Sequence, residues 1–317
     1  MGMKERLTID LPGFIQARES LGYETYTNNL YLKPFLEYCL ELYPLAETIT
    51  KEMIDAWLLQ RPFRTNATKS CAVTSLRVFT RFQNTIGKPD YIPDEEYSVR
   101  VERYKPYIFT DAELKTLFHA IDSIPANFEA PNRELIVPVM FRMMYCCGMR
   151  PAEPLHLKRE DVDLSSGTVF IRESKHKKDR IVTMSDDLLR LCGRYDSLFG
   201  TRVWFFQKWK GDEPLPTYWM TNQFRICFRN SGLPKRGDPR PYDLRHNFAT
   251  RNLMRWVDEG KDVMALLPYL SSYMGHVHFT HTLYYVRLLP ERLRLSAGIN
   301  WESLDSVYRE VETHEGD

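Results

Sequence analysis

The 317-residue chain has no apolar run near the ~20 residues that cross a bilayer. Its first residues, Met1-Gly2-Met3-Lys4-Glu5-Arg6, hold no apolar stretch of signal-peptide type, so no membrane partner is expected. Cysteine is sparse and unpatterned. Cys39, Cys71, Cys146, Cys147, Cys192 and Cys227 form no CxxC pair and are expected to be reduced core residues of a cytoplasmic protein. Internal repeats and low-complexity segments are also lacking. So is an excess of charge of one sign: 43 Lys and Arg stand against 42 Asp and Glu, a net charge of +1. That balance argues mildly against a nucleic-acid partner, for which a basic chain is expected.

Distribution modifies that argument. From Arg61 to Lys88 the chain carries Arg61, Arg64, Lys69, Arg77, Arg81 and Lys88 and no acid, while acids gather at Asp94, Glu95 and Glu96 and between Glu302 and Asp317. A neutral sum can hide a basic face; a solvated helix surface is the plainer alternative. With 43% hydrophobic and 27% charged residues the composition is that of a globular protein, and the length suits two domains.

Residues 14–87 read as helical, with Tyr31, Phe35, Tyr38 and Cys39, then Ile54, Trp57 and Leu58, then Val73, Leu76 and Phe79 at helical spacing. Thr50 is a candidate N-cap, Arg61-Pro62 a stop, and a further helix is expected from near Thr65-Asn66 to Ile86. On it Arg77 and Arg81 are four apart and share a face. The proline-bearing segment 91–106 reads as a linker, after which Thr110-Asp111-Ala112-Glu113 opens a helix as an N-cap with acids in its first turn. Helices are expected over 111–124, 133–147, 186–195, 222–231, 244–259 and 263–273. Strands are expected over 168–172 and 180–184, joined by a polar hairpin turn.

Five short segments bear chemistry. Arg150 sits at a corner between Gly148 and Pro151, with Glu153 three residues on to hold its guanidinium; a helix-end charge is the plain alternative. Lys175, Lys177 and Lys178 lie in the hairpin turn, where lysines face water or deliver an ammonium to a phosphate. Arg245 falls near a helix N-terminus, where phosphate binds; a surface pair with Asp243 or Glu259 competes. His276 follows a glycine that ends a helix, and His276, His278 and His281 invite a metal reading that no nearby Asp, Glu or Cys completes. Tyr284 and Tyr285 would by themselves be core aromatics.

Together the ordered set Arg150, Lys175, Arg245, Gly275-His276 and Tyr285 resembles the tyrosine recombinase (phage integrase) family. The resemblance implies a mainly α chain with a small antiparallel sheet, folded as a two-domain C-shaped clamp. It implies a helical core-binding domain over 1–90, a linker over 91–106 and a catalytic domain over 107–290. A tail over 291–317 would dock on a neighbouring subunit or fold back in cis. Arg150, Lys175, Tyr242, Arg245, His276 and Tyr285 would form the catalytic set, with Tyr285 the nucleophile by its nine-residue spacing from His276. Glu153, beside Arg150, and His246 would be supporting residues, and Arg61, Arg64, Lys69, Arg77 and Arg81 would contact DNA. One position departs: Tyr242 stands where the family usually has the histidine of His-x-x-Arg, and a phenol, with its pKa of about 10, is a poor base. His246, four residues on, is expected to point elsewhere unless the helix has already begun, and to pack or cap.

The family chemistry is transesterification through a 3′-phosphotyrosine, with no metal, ATP or other cofactor. The implied partners are a double-stranded DNA site, further copies in a homotetramer on paired sites, and accessory bending or directionality factors. The implied setting is the nucleoid, the source a bacterium, phage or mobile element. A catalytically silent DNA-binding relative, a type IB topoisomerase and a metal-dependent hydrolase are the competing classes.

Overall fold

The structure, a computed structural model, describes residues 2–94, 97, 104–174 and 178–288. Lys175, Lys177 and the tail over 291–317 lie outside the described residues. Contacts group the chain into two compact units that divide between Tyr104 and Lys105.

The first unit is helical. Helix α1 (Met3–Glu5) leads through a π-helical segment (Arg6–Asp10) into α2 (Leu11–Ser20), followed by α3 (Tyr26–Leu42), α4 (Lys51–Gln60) and α5 (Asn66–Thr85). Thr65 caps α5, its hydroxyl accepting from the Thr68 N–H at 3.2 Å. The apolar residues at helical spacing meet in one core: Leu32, Phe35 and Leu36 of α3, Ile54 and Trp57 of α4, Val73, Leu76 and Phe79 of α5. Phe35 packs edge-on against Trp57 at 5.3 Å, and Phe14 against Phe79 at 5.4 Å.

A buried ion pair closes this unit. Arg6 donates to Asp90 at 2.5 Å and to the Glu47 carbonyl at 2.6 Å, while Asp90 also accepts from the Ile49 N–H at 2.8 Å. The start of the segment read as a linker packs here too, with the Tyr91 N–H on the Ile49 carbonyl and the Tyr97 hydroxyl on Asp55.

The basic side chains of this unit divide. Arg77 is half-buried and donates to the carbonyls of Pro93 at 2.7 Å and Asp94 at 2.8 Å. Lys88 pairs with Asp10 at 2.6 Å, and the Arg61 guanidinium lies over the Trp57 ring at 5.2 Å. Arg64 and Arg81 are exposed and Lys69 is half-exposed, with no ion pair to another described residue.

The second unit is mixed. Helix α6 (Asp111–Asp122), capped reciprocally by Thr110 and Glu113, precedes α7 (Arg133–Cys146), whose Val137, Met140, Phe141 and Met144 form the centre of the core. A one-turn helix α8 (Ala152–Leu155) leads to a three-stranded antiparallel sheet in the order β1 (Val162–Asp163), β2 (Thr168–Ser174), β3 (Lys178–Thr183). Helices α9 (Asp186–Ser197), α10 (Thr217–Asn230), α11 (Pro241–Asp258), α12 (Val263–Met274) and α13 (Thr280–Arg287) complete it. The fold is mainly α with a small antiparallel sheet, as the sequence implies.

Two differences matter for the site. Helix α11 starts at Pro241, ahead of the expected 244, because proline suits the first helical position and Asp243 accepts from the Arg240 N–H at 2.9 Å. Pairing of Val169 with Val182 and Ile171 with Arg180 puts Arg180 on the buried face of the sheet beside Val182.

Replacing Asp90 by Ala strands the buried Arg6 guanidinium and the Ile49 N–H. The first unit is expected to lose about 3–5 kcal/mol, read as a lower urea midpoint for its unfolding.

Candidate active site

Helix α7 ends in a corner that only glycine tolerates. Gly148 has φ +62°, and a Cβ there would sit 2.5 Å from the Phe248 ring of α11. The turn carries Arg150 back over α8. Its backbone N–H and its guanidinium both donate to Glu153, at 2.7 and 2.9 Å, and its second amino group donates to the Gly275 carbonyl at 2.6 Å. Arg180 of β3 completes the arrangement with a fork onto both oxygens of Glu153, at 2.7 and 2.6 Å. Burial alone would raise the Glu153 carboxyl. The hydrogen bonds and charge of Arg180 and the charge of Arg245 outweigh it and hold the carboxyl below the usual range.

Arg245 is fully buried on α11. It donates to the carbonyls of Gly148 and Met274, both at 2.6 Å, and to Nε2 of His276 at 3.0 Å, while its Nε–H has no partner. A guanidinium only donates, so Nε2 of His276 must accept. The imidazole proton therefore sits on Nδ1 and is donated to the Thr282 hydroxyl at 2.7 Å. Burial, then the charges of Arg245 and Arg150, push the His276 pKa down to about 3, so the ring is neutral.

Tyr285 of α13 stacks on that ring at 6.0 Å and is 3% exposed. Burial lifts its phenol well above the ordinary value, against the pull of Arg245. Arg150, Glu153, Arg245, His276 and Tyr285, scattered over 136 positions of the chain, thus converge in one largely buried cluster.

Residues 108–292 match the phage integrase family. The chain belongs to this family of tyrosine recombinases. It is 28% identical over 294 residues to the "Putative integrase/recombinase y4rB" of Sinorhizobium fredii, covering 89% of this chain and 92% of that one. It is 25% identical over 249 residues to the tyrosine recombinase XerA of Thermococcus kodakarensis, covering 72% and 73% of the two. Among solved structures, the XerH site-specific recombinase bound to difH substrate aligns with a TM-score of 0.62 at 21% identity, over 86% of this chain and 78% of that one. A lambda integrase dimer bound to a COC′ core site aligns with a TM-score of 0.60 at 17% identity, over 90% and 77%. At these identities the structural likeness concerns the fold.

Within this tyrosine recombinase, the other residues singled out from sequence fall as follows. Lys175 lies outside the described residues, and Arg61, Arg64, Lys69, Arg77 and Arg81 belong to the first unit. His278 and His281 are exposed, and among the described residues no three His, Cys, Asp or Glu side chains group as a metal site. The expectation that His246 points away from Tyr242 is corrected. With α11 already formed at Pro241 the two are one turn apart on one face, rings 4.9 Å apart, and His246 lies 5.5 Å from Tyr285.

Sequence reasoning missed Arg180 and Thr282. Arg180 did leave a signal: strand alternation puts it on the face of Val182, and an inward arginine demands an anion. Thr282 left none, since only the fold of α13 brings its hydroxyl to His276.

Replacing Glu153 by Gln leaves Arg150 and Arg180 without their shared charge, a loss of about 3–5 kcal/mol in the second unit at neutral pH. The wild-type carboxyl is depressed in the folded state. Its contribution is complete above the unfolded value of about 4.3 and fades as pH falls through the folded value. The gap in urea midpoint between wild type and Glu153→Gln is therefore expected to narrow at acid pH.

Proposed function

We propose that the chain is a site-specific recombinase that cuts and rejoins double-stranded DNA through a 3′-phosphotyrosine, without metal or ATP. The observation that carries this reading is the Tyr285 phenol beside buried arginines, of which Arg245, like Arg180, keeps an unpaired Nε–H. A phosphate oxygen would supply the anion that donor lacks.

Tyr285 attacks the scissile phosphate and the 5′-oxygen leaves, protonated by Lys175. A 5′-hydroxyl from the partner duplex then reverses the step, so the bond energy is conserved. Arg150, Arg245 and His276 surround the charge that builds on phosphorus, the task a divalent cation would otherwise perform. His276 takes part once Nε2 carries a proton, which it would donate to a phosphate oxygen in place of accepting from Arg245. Tyr285 must be uncovered before it attacks, so DNA binding shifts α13.

The relatives described as bound to difH and to a core site support a DNA site as substrate. Each chain offers one nucleophile and exchange between two duplexes cuts four strands, which favours a homotetramer on paired sites, with bending or directionality factors as accessories. No helix among the described residues is long and apolar enough to cross a membrane, and a nucleoid setting in the cytoplasm suits the reaction. Arg64, Lys69 and Arg81 are the side chains of the first unit best placed to meet phosphates, since Arg77 and Arg61 are engaged within their own unit.

A duplex selected for binding from a random pool and nicked near its centre is expected to trap a covalent adduct with the wild type, in EDTA as well as in Mg²⁺. Tyr285→Phe is expected to form none, and Arg150→Ala to slow adduct formation about a hundredfold or more. Binding without an adduct in any buffer would place the chain among silent DNA-binding relatives, and loss of the adduct in EDTA would refute metal independence.

Salt titrations give a second check. Each of Arg64→Ala and Arg81→Ala is expected to reduce the slope of log K against log salt by about 0.9, whereas Arg77→Ala lowers the stability of the first unit and leaves the slope unchanged. Equal slopes in all three would return those residues to a solvated face.

A further inference from the structure

We infer that His246 accepts the proton of Tyr285 when the nucleophile attacks, an inference that rests on the recombinase reading above. The phenol must shed its proton as the O–P bond forms, and its neighbours offer few acceptors. Guanidiniums accept nothing. Both nitrogens of His276 are engaged, Nε2 by Arg245 and Nδ1 by Thr282. Tyr242 brings a second phenol, and phenols are not bases near neutral pH.

His246 differs from all of these. Its ring lies 5.5 Å from that of Tyr285 and 4.9 Å from that of Tyr242, and its Nδ1 is buried with no hydrogen-bond partner. An unpartnered buried nitrogen costs stability unless something completes it. With the imidazole proton on Nε2, Nδ1 presents a lone pair inside the pocket. The groups facing the ring are Tyr242 and Arg245 on α11 and Tyr284 and Tyr285 on α13. Burial and Arg245 bring the pKa of His246 down to about 4, so the ring is neutral and able to accept at physiological pH. The same shift makes it a weak base, and the bound phosphate offsets the Arg245 charge as the imidazolium forms.

The step balances. The proton passes from Tyr285 Oη to His246 Nδ1, the Oη–P bond forms, the P–O5′ bond breaks, and the 5′-oxygen takes a proton from Lys175. On rejoining, the incoming 5′-hydroxyl returns its proton to Lys175 and the imidazolium returns its own to Tyr285. Contacts of this kind tighten when the reacting phosphate is bound. Helix α11 supplies the imidazole one turn beyond Tyr242, so a histidine at position 242 is not needed.

Single-turnover adduct formation on the nicked duplex, with the full chain, tests the assignment. His246→Asn is expected to slow adduct formation about a hundredfold, the lower end of general-base effects, with DNA affinity unchanged. Adding Tyr242→His to His246→Asn is expected to recover most of the rate, since it returns an imidazole to the same face. A merely structural role for His246 would show no such recovery. A His246→Asn rate equal to wild type, or a loss that Tyr242→His fails to mend, overturns the inference. In 15N-histidine-labelled wild type the His246 Nδ1 resonance is expected to be that of an unprotonated nitrogen. An Nδ1–H tautomer overturns the inference whether or not the variants fold. If wild type forms no adduct, the recombinase reading fails and this role with it; if wild type reacts and His246→Asn keeps pace, only the role of His246 fails.

Discussion

Three guanidiniums held out of water in one cluster repel one another, and the second unit is arranged around that cost. Arg150 and Arg180 share the single carboxylate of Glu153, which leaves the cluster with excess positive charge. Backbone carbonyls offset part of it. Arg245 takes those of Gly148 and Met274, and Arg150 takes that of Gly275. All three carbonyls come from the ends of α7 and α12, where the helix dipole is negative. Gly148 and Gly275 adopt left-handed conformations, φ +62° and +64°, and so turn the chain out of each helix at the place where the arginines need acceptors.

The same electrostatics govern the two groups that would do chemistry. Positive charge and burial keep His276 neutral, and Arg245 orders it by donating to Nε2. Burial keeps Tyr285 a phenol despite its cationic neighbours. The cluster thus holds donors in excess of acceptors and, in Tyr285, a phenol that is still protonated. Glu153 is the one carboxylate set against three guanidiniums, and under the proposed function a phosphodiester would supply the balancing charge. Under that proposal, binding energy from the phosphate would be spent on uncovering Tyr285 and breaking the resting contacts of Arg245.

The first unit illustrates why a basic stretch is not yet a binding face. Arg77 and Arg81 share a helix face by spacing, yet Arg77 folds back onto the carbonyls of Pro93 and Asp94 while Arg81 stays exposed. A guanidinium that ties two backbone carbonyls to its own helix is structural first, whatever its charge. Arg61 over Trp57 and Lys88 against Asp10 make the same point.

Local rules made much of this protein legible in the amino-acid order. Helical spacing located the cores of α3 to α5, threonine N-caps located the starts of α4 and α6, and short β-branched runs located β2 and β3. The three-residue step from Arg150 to Glu153 and the nine-residue step from His276 to Tyr285 are short-range, and both pairs do meet. Partners far apart in the chain were not legible. Arg150 to Gly275 spans 125 residues and Arg245 to Gly148 spans 97, and nothing local encodes which carbonyl a buried guanidinium finds. His246 shows the limit most clearly. Moving the start of α11 ahead to Pro241 turns this residue from one expected to pack or cap into the neighbour of Tyr242 and Tyr285, because one helical turn decides which side chains share a face. Sequence by itself determined which groups were present and in what order; packing decided which of them share a pocket, since desolvation and charge pairing act between surfaces that only the folded chain brings together.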